Sequence, residues 1–178
     1  MPRTPTRALL ASAAIVAALT LPSPASSQYR LPTITSVARA DSLHESAVAL
    51  SSDFRRLRDA ARLHEQSAAL RAPEDSLAFR CLTTAAQLSY AKKDLADAQR
   101  DMAAAAAHAL ARGDIQKSAQ AYADAAWLAN ARQHRGEVRS LARQAEMLAA
   151  SPLLSGTQRV AILKRFVHTG REMASEER

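Results

Sequence analysis

The chain is predicted to be all-α: antiparallel helical hairpins stacked as a short solenoid, closed by a C-terminal capping helix. Three observations lead there. Apolar residues recur at three- and four-residue steps through most of the chain, which is the period of one helical face. No sustained alternating run suggests a sheet, and 178 residues contain only 4 glycines, too few for a succession of tight hairpin turns. Similar stretches also return at a fixed interval. LHESAVAL at 43–50 resembles LHEQSAAL at 63–70, and Asp94–Leu95 resembles Asp114–Ile115, each twenty residues later. One helix and turn of that length makes a hairpin of about forty residues, a period that marks helical solenoids.

The elements follow in order. Residues 1–27 have the tripartite pattern of a secretory signal. Arg3 and Arg7 supply the positive region, Ala8 to Leu21 is an apolar run of 14 residues, and Ala25 and Ser27 precede a cut before Gln28. That run is short for a bilayer span, and no Cys follows it to accept a lipid. Residues 28–35 are expected to be an extended linker, since Pro32 disfavours helix just before it. A helical-repeat domain is expected over 36–170 and a charged tail over 171–178.

Within the domain, a first helix is expected from Val37 to Leu50 with Ser36 as its cap. A second runs from Asp53 to Arg71, with Phe54 among its apolar positions. Pro73 marks the start of a third, because its missing amide costs nothing in a first turn, and this helix reaches about Ala91. Asp94 to Gly113 and Asp114 to Gly136 form the central pair. They are rich in Ala, the best helix former. Each is opened by a capping Asp and closed by a Gly suited to the left-handed residue after a helix. Gly113 and Gly136 are therefore both expected at positive φ. A sixth helix spans Glu137 to Ala150. Ser155 and Gln158 have capping-box spacing and open a seventh, with Val160, Leu163 and Val167 as its apolar face.

Net charge is +7, from 24 Lys and Arg (20 of them Arg) against 17 Asp and Glu. Such a balance favours anionic partners, but no dense basic block concentrates it, and a solvated helical surface accounts for scattered charge. Aromatic residues are 4% of the chain. That leaves few platforms for the base stacking that single-stranded nucleic acid needs, so no nucleic-acid partner is favoured. Catalytic motifs are missing. His44–Glu45 and His64–Glu65 lack a second His four residues on, and no phosphate loop, serine elbow or Cys–His pairing signal occurs. The 5 histidines are scattered, so no metal site or cofactor is expected, nor an enzyme. Cys81, the single cysteine, falls on an apolar stripe and reads as a small buried hydrophobe. Asp97 and Asp101 share a helical face. They could hold a cation, but an exposed acidic face is the simpler reading.

Paired helices with small residues at the packed positions resemble the tetratricopeptide-repeat (TPR) family. The similarity is carried by Gly136, Val138, Leu141, Ala145, Leu148 and Pro152, and one hairpin earlier by Lys93, Leu95, Ala98, Met102 and Ala105. Leu82, Ala85 and Ala86, then Ala125, Leu128 and Ala129, match on the first helices. The spacing near forty departs from the family's period of about 34, and the family's first-helix Trp and Gly are missing. The resemblance implies a right-handed superhelix of hairpins at 36–71, 74–112 and 115–150. It also implies a non-enzymatic scaffold that holds a protein or peptide partner. The alternative is a helical envelope domain that associates with a membrane surface or anionic polymer through its Arg excess. In the family, ligands touch the first helix of each hairpin. The resemblance thereby implies Arg80, Thr83, Gln87 and Tyr90, with Asn130, Gln133 and His134, as the binding row. Arg39, Ser42 and Ser46 would extend it, and Arg80 would be the charged anchor.

Overall fold

The computed structural model describes residues 33–165, so the signal, most of the linker, Val167 and the tail lie outside them. The described residues form helices and turns with no strand. Helix α1 is Ile34–Leu50, α2 is Leu57–Ala69, α3 is Ser76–Ala91, α4 is Leu95–Ala111, α5 is Ile115–Ala131 and α6 is Arg135–Ala149. A further helical stretch, α7, occupies 156–165. A short 3-10 turn at Phe54–Arg56 leads into α2.

Each helix packs chiefly on its neighbours in sequence, and side chains join alternate helices into two layers. In one layer His44 of α1 meets Cys81 of α3, Tyr90 of α3 meets Trp127 of α5, and Gln116 of α5 meets Gln158 of α7. In the other, Glu65 of α2 meets Arg100 of α4, and Gln99 of α4 meets Glu137 of α6. The all-α stack of antiparallel hairpins is thus what the chain forms.

Alanine makes the stack tight. Ala85, Ala105, Ala125 and Ala145 are all fully buried, one per helix from α3 to α6 at intervals of twenty. Small side chains at a contact let helix axes approach closely. Ile162 of α7, also fully buried, packs with Ala119, Ala149 and Leu154 and closes the end of the stack. The expected apolar face of α7 is corrected by this. Val160 and Leu163 are about half exposed, because the rotation of α7 that buries Ile162 turns them outward.

Three turns repeat one geometry. The amides of Asp94, Asp114 and His134 donate to the carbonyls of Ser89, Ala109 and Ala129 at 2.9, 2.9 and 3.0 Å. This is the six-to-one bond of a Schellman helix end. The left-handed residue it requires is Lys93 (φ 60°), Gly113 (φ 74°) or Gln133 (φ 60°). Gly113 fulfils the expectation. Gly136 does not, since it lies inside α6 and its turn is made by Gln133.

Other boundaries shift for local reasons. α1 begins at Ile34 because the Thr33 hydroxyl accepts the Ser36 amide. Asp75, not Pro73, caps α3, accepting the Leu77 amide at 2.8 Å. Asp114 caps α5 through the Lys117 amide, whereas the Asp94 side chain makes no such bond at the start of α4. Phe54 stays in the 3-10 turn, 64% exposed, with the Lys92 ammonium 4.1 Å from its ring centre. The capping box forms in full: Ser155 and Gln158 exchange backbone-to-side-chain bonds of 2.8 and 3.2 Å.

Candidate functional site

A groove of about 250 Å³ opens between α3 and α5, with α4 behind it. Gln87 and Tyr90 of α3 face Asp124, Trp127 and Leu128 of α5 across it, and Met102 of α4 lies at the back. Alanine at the close contacts is what leaves this space unfilled: Ala86 lines it, while Ala85 and Ala125 bring the helices together beside it. The Tyr90 and Trp127 rings sit 5.7 Å apart at a tilt of 54°, a distance at which aromatic pairs attract. Tyr90 remains 49% exposed, so the pair presents an aromatic wall to solvent. Asp124 is the charged group of the groove and pairs with Arg165 of α7. Burial raises its carboxyl pKa, against the opposing pull of Arg165.

The sequence-derived row is only partly assembled. Gln87 and Tyr90 enter the groove. Arg80 is exposed, one to two turns away from it on the same helix. The Thr83 hydroxyl is spent on the carbonyls of Phe79 and Arg80, at 3.1 and 3.0 Å. Asn130 is half-buried near the end of α5. Gln133 forms the left-handed turn, and His134 stands at the N-cap position of α6 with its Nδ1 3.3 Å from Glu137. On α1, Arg39, Ser42 and Ser46 are exposed, and the Ser46 hydroxyl donates to the Ser42 carbonyl. The residues that complete the groove on α5 are Asp124 and Trp127. Trp127 lies forty positions after Gln87, so two steps of the twenty-residue interval connect them.

Two polar clusters join helices of the stack. The first joins α1, α2 and α3. His44 Nδ1 lies 3.4 Å from His64 Nδ1 and 3.5 Å from Cys81 Sγ. Ser67 lies 3.7 Å from the same sulfur and donates to the Ala40 carbonyl at 2.7 Å. Beside them the Arg71 guanidinium, its side chain 3% exposed, bridges Asp41 and Asp75. Burial, with some repulsion from His44, lowers the pKa of His64 to about 4, so the imidazole is neutral at neutral pH. Burial also pushes the Cys81 thiol up.

The second cluster joins α2 and α4. Arg100 binds Glu65 at 3.0 Å and Asp101 at 3.2 Å and also pairs with Asp97. Asp101 is buried rather than part of an exposed acidic face. Its burial, followed by repulsion from Glu65, raises its pKa to about 7 against the pull of Arg100. A guanidinium therefore occupies the place where a cation was considered.

Among the described residues no helix is long and apolar enough to cross a membrane. Comparison with known proteins gives no match: no family model matches, and neither does any curated protein or solved structure.

Proposed function

We propose that the chain is a non-enzymatic, exported scaffold that holds a protein or peptide partner in a TPR-like manner, using the face of α3 and α5. The observation that carries this reading is the groove with its exposed Tyr90–Trp127 wall and the Gln87 amide beside it. Aromatic side chains with a polar neighbour suit an extended peptide that places an apolar side chain between the helices and bonds its backbone to an amide. The residues 1–27, read as a secretory signal, support export.

The test uses the tagged mature chain and captures partners from an envelope extract. Trp127→Ala combined with Gln87→Ala should leave the circular dichroism unchanged and weaken capture by about tenfold or more, the scale of losing an aromatic anchor. Equal capture by the folded variant would refute the groove. A second reading, association with acidic lipid or a polyanion, is favoured by Arg139 and Arg143 one turn apart on α6, beside a 68% exposed Met147. Binding that collapses with added salt and survives the groove variant would select it.

A further inference from the structure

We infer that His44, His64 and Cys81 form a site for one soft closed-shell metal ion, Zn²⁺ or Cu⁺, bridging α1, α2 and α3. Each residue offers one ligand atom, and the three atoms lie within 4.8 Å of one another. Two of these separations carry the argument. With metal–nitrogen bonds of about 2.0–2.1 Å and a metal–sulfur bond of about 2.3 Å in tetrahedral array, neighbouring nitrogens lie about 3.3 Å apart and a nitrogen and sulfur about 3.6 Å. The observed separations are 3.4 Å for the two Nδ1 atoms and 3.5 Å for His44 Nδ1 and Cys81 Sγ. These two pairs already stand at ligand spacing, and a shared ion requires His64 and Cys81, whose donor atoms lie within 4.8 Å, to stand at the tetrahedral distance as well.

The surroundings agree with that geometry. Without an ion the three donors have only long contacts with one another. Two imidazoles and a thiolate select Zn²⁺ or Cu⁺ over the hard ions Mg²⁺ and Ca²⁺, which take oxygen. Cys81 must lose its proton. On binding, the S–H bond breaks, the sulfur–metal bond forms, and one proton leaves to buffer with no change of oxidation state. His64 and Cys81 are sealed from solvent, while His44 is half-buried, so α1 is the side of entry. A further ligand for Zn²⁺ would be water entering from that side, whereas Cu⁺ needs no fourth ligand to make a neutral centre with one thiolate.

The test uses the full chain stripped with chelator and then equilibrated in parallel with Zn²⁺ and, under anaerobic reducing conditions, with Cu⁺, each against a competing coloured chelator. One equivalent of at least one ion should bind, raise the melting temperature and release one proton. The ion bound more tightly identifies the metal. Cys81→Ala and His44→Ala should each lower affinity by about 100-fold or more, beyond the usual effect of outer-shell changes. Cys81→Ala should fold, because Ala121, forty residues on, fills the corresponding buried place on α5. Should either variant fail to fold, Co²⁺ added to the unaltered chain decides the matter. A sulfur-to-cobalt absorption band with tetrahedral d–d bands supports the site, and absence of both bands together with no Cu⁺ uptake overturns it. Equal metal retention by the unaltered chain and a folded Cys81→Ala, His44→Ala double variant also overturns it.

Discussion

From α3 to α6 the seam between the layers is lined by alanine, with Ala85, Ala105, Ala125 and Ala145 at matching heights and all fully buried. In the first hairpin the seam is polar. Ala40 of α1 and Ala60 of α2 keep the small residue, but His64 and Ser67 of α2, and Arg71 just after it, are also buried. The contrast follows the connections. The turns after α3, α4 and α5 share one Schellman geometry and keep a strict interval of twenty. The α2–α3 connection, through Pro73 and the Asp75 cap, shifts the register, so that Ala60, Ser67 and Ala68 align with Ala78, Ala85 and Ala86 at an interval of eighteen. In the regular region, shape complementarity of small groups does the packing. In the first hairpin, buried polar groups must find partners, and they specify which helix meets which. The Ser67 hydroxyl of α2 on the Ala40 carbonyl of α1 is one such link, and Arg71, just after α2, is another, between Asp41 of α1 and the α3 cap Asp75.

The largest expected difference between the regions is in pH dependence. His64 has a folded pKa lowered to about 4 from 6.5. Its neutral form therefore contributes stability that is fully present above pH 6.5 and is lost as the pH falls towards 4. The loss is on the order of 3 kcal/mol. In metal-free protein, urea unfolding at about pH 7 and about pH 4.5 should show most of this loss. His64→Leu should reduce it, since Leu82 fills the matching place on α3. Asp101, raised to about 7, acts in the opposite sense, its contribution being lost as pH rises through that value. It does so in both chains, and so cancels in the comparison. Equal slopes for the two chains would mean that His64 is hydrated and that the polar seam is not sealed.

The regular region was legible in the sequence because it is built from local rules. The Ala stripes gave the helices, the twenty-residue interval gave their lengths, and Gly113 gave one turn. Lys93 and Gln133 were not legible as left-handed residues, because nothing in a Lys or Gln side chain signals positive φ. They become visible only when the turns are aligned on Gly113. Two of the seven binding positions, Gln87 and Tyr90, entered the groove. The α5 positions missed because the row was carried towards the helix end, where Asn130, Gln133 and His134 serve the turn and the next helix. The meeting of His44, His64 and Cys81 was hidden for a different reason. His44 and His64 are separated by one interval of twenty, but Cys81 joins them only through the shifted register after α2, which no local pattern announces.

A middle-sized effect tests the alanine seam itself. Ala125→Leu adds three carbons at a position with no exposed surface, and neighbouring helices must move apart or the side chain must leave its preferred rotamer. The expected cost is about 2 kcal/mol, read as a lower urea midpoint. Ala107→Leu, on the exposed side of α4, should change stability by no more than about 0.5 kcal/mol. If both substitutions behave alike, the seam is loose and the contrast with the first hairpin loses its physical basis.

The smallest effect concerns the turns that keep the interval of twenty. Lys93 and Gln133 hold φ near 60°, where a Cβ crowds the backbone by roughly 1 kcal/mol. Glycine has no such penalty, though its greater freedom in the unfolded chain removes part of the gain. Gln133→Gly should therefore raise stability by up to about 1 kcal/mol, and Gly113→Ala should lower it by a similar amount. The Gly113 change isolates backbone strain, because an added Cβ would meet nothing within 4 Å. Gly136 supplies the opposite control. It lies in the first turn of α6, also with open space around it, so Gly136→Ala should be stabilising by up to about 1 kcal/mol through the unfolded state. Thermal unfolding of the three variants at one pH reads all three signs. A gain from Gly113→Ala would mean that Gly113 does not hold the left-handed turn, and a loss from Gly136→Ala would mean that Gly136 holds the turn role its sequence context first suggested rather than a place inside α6.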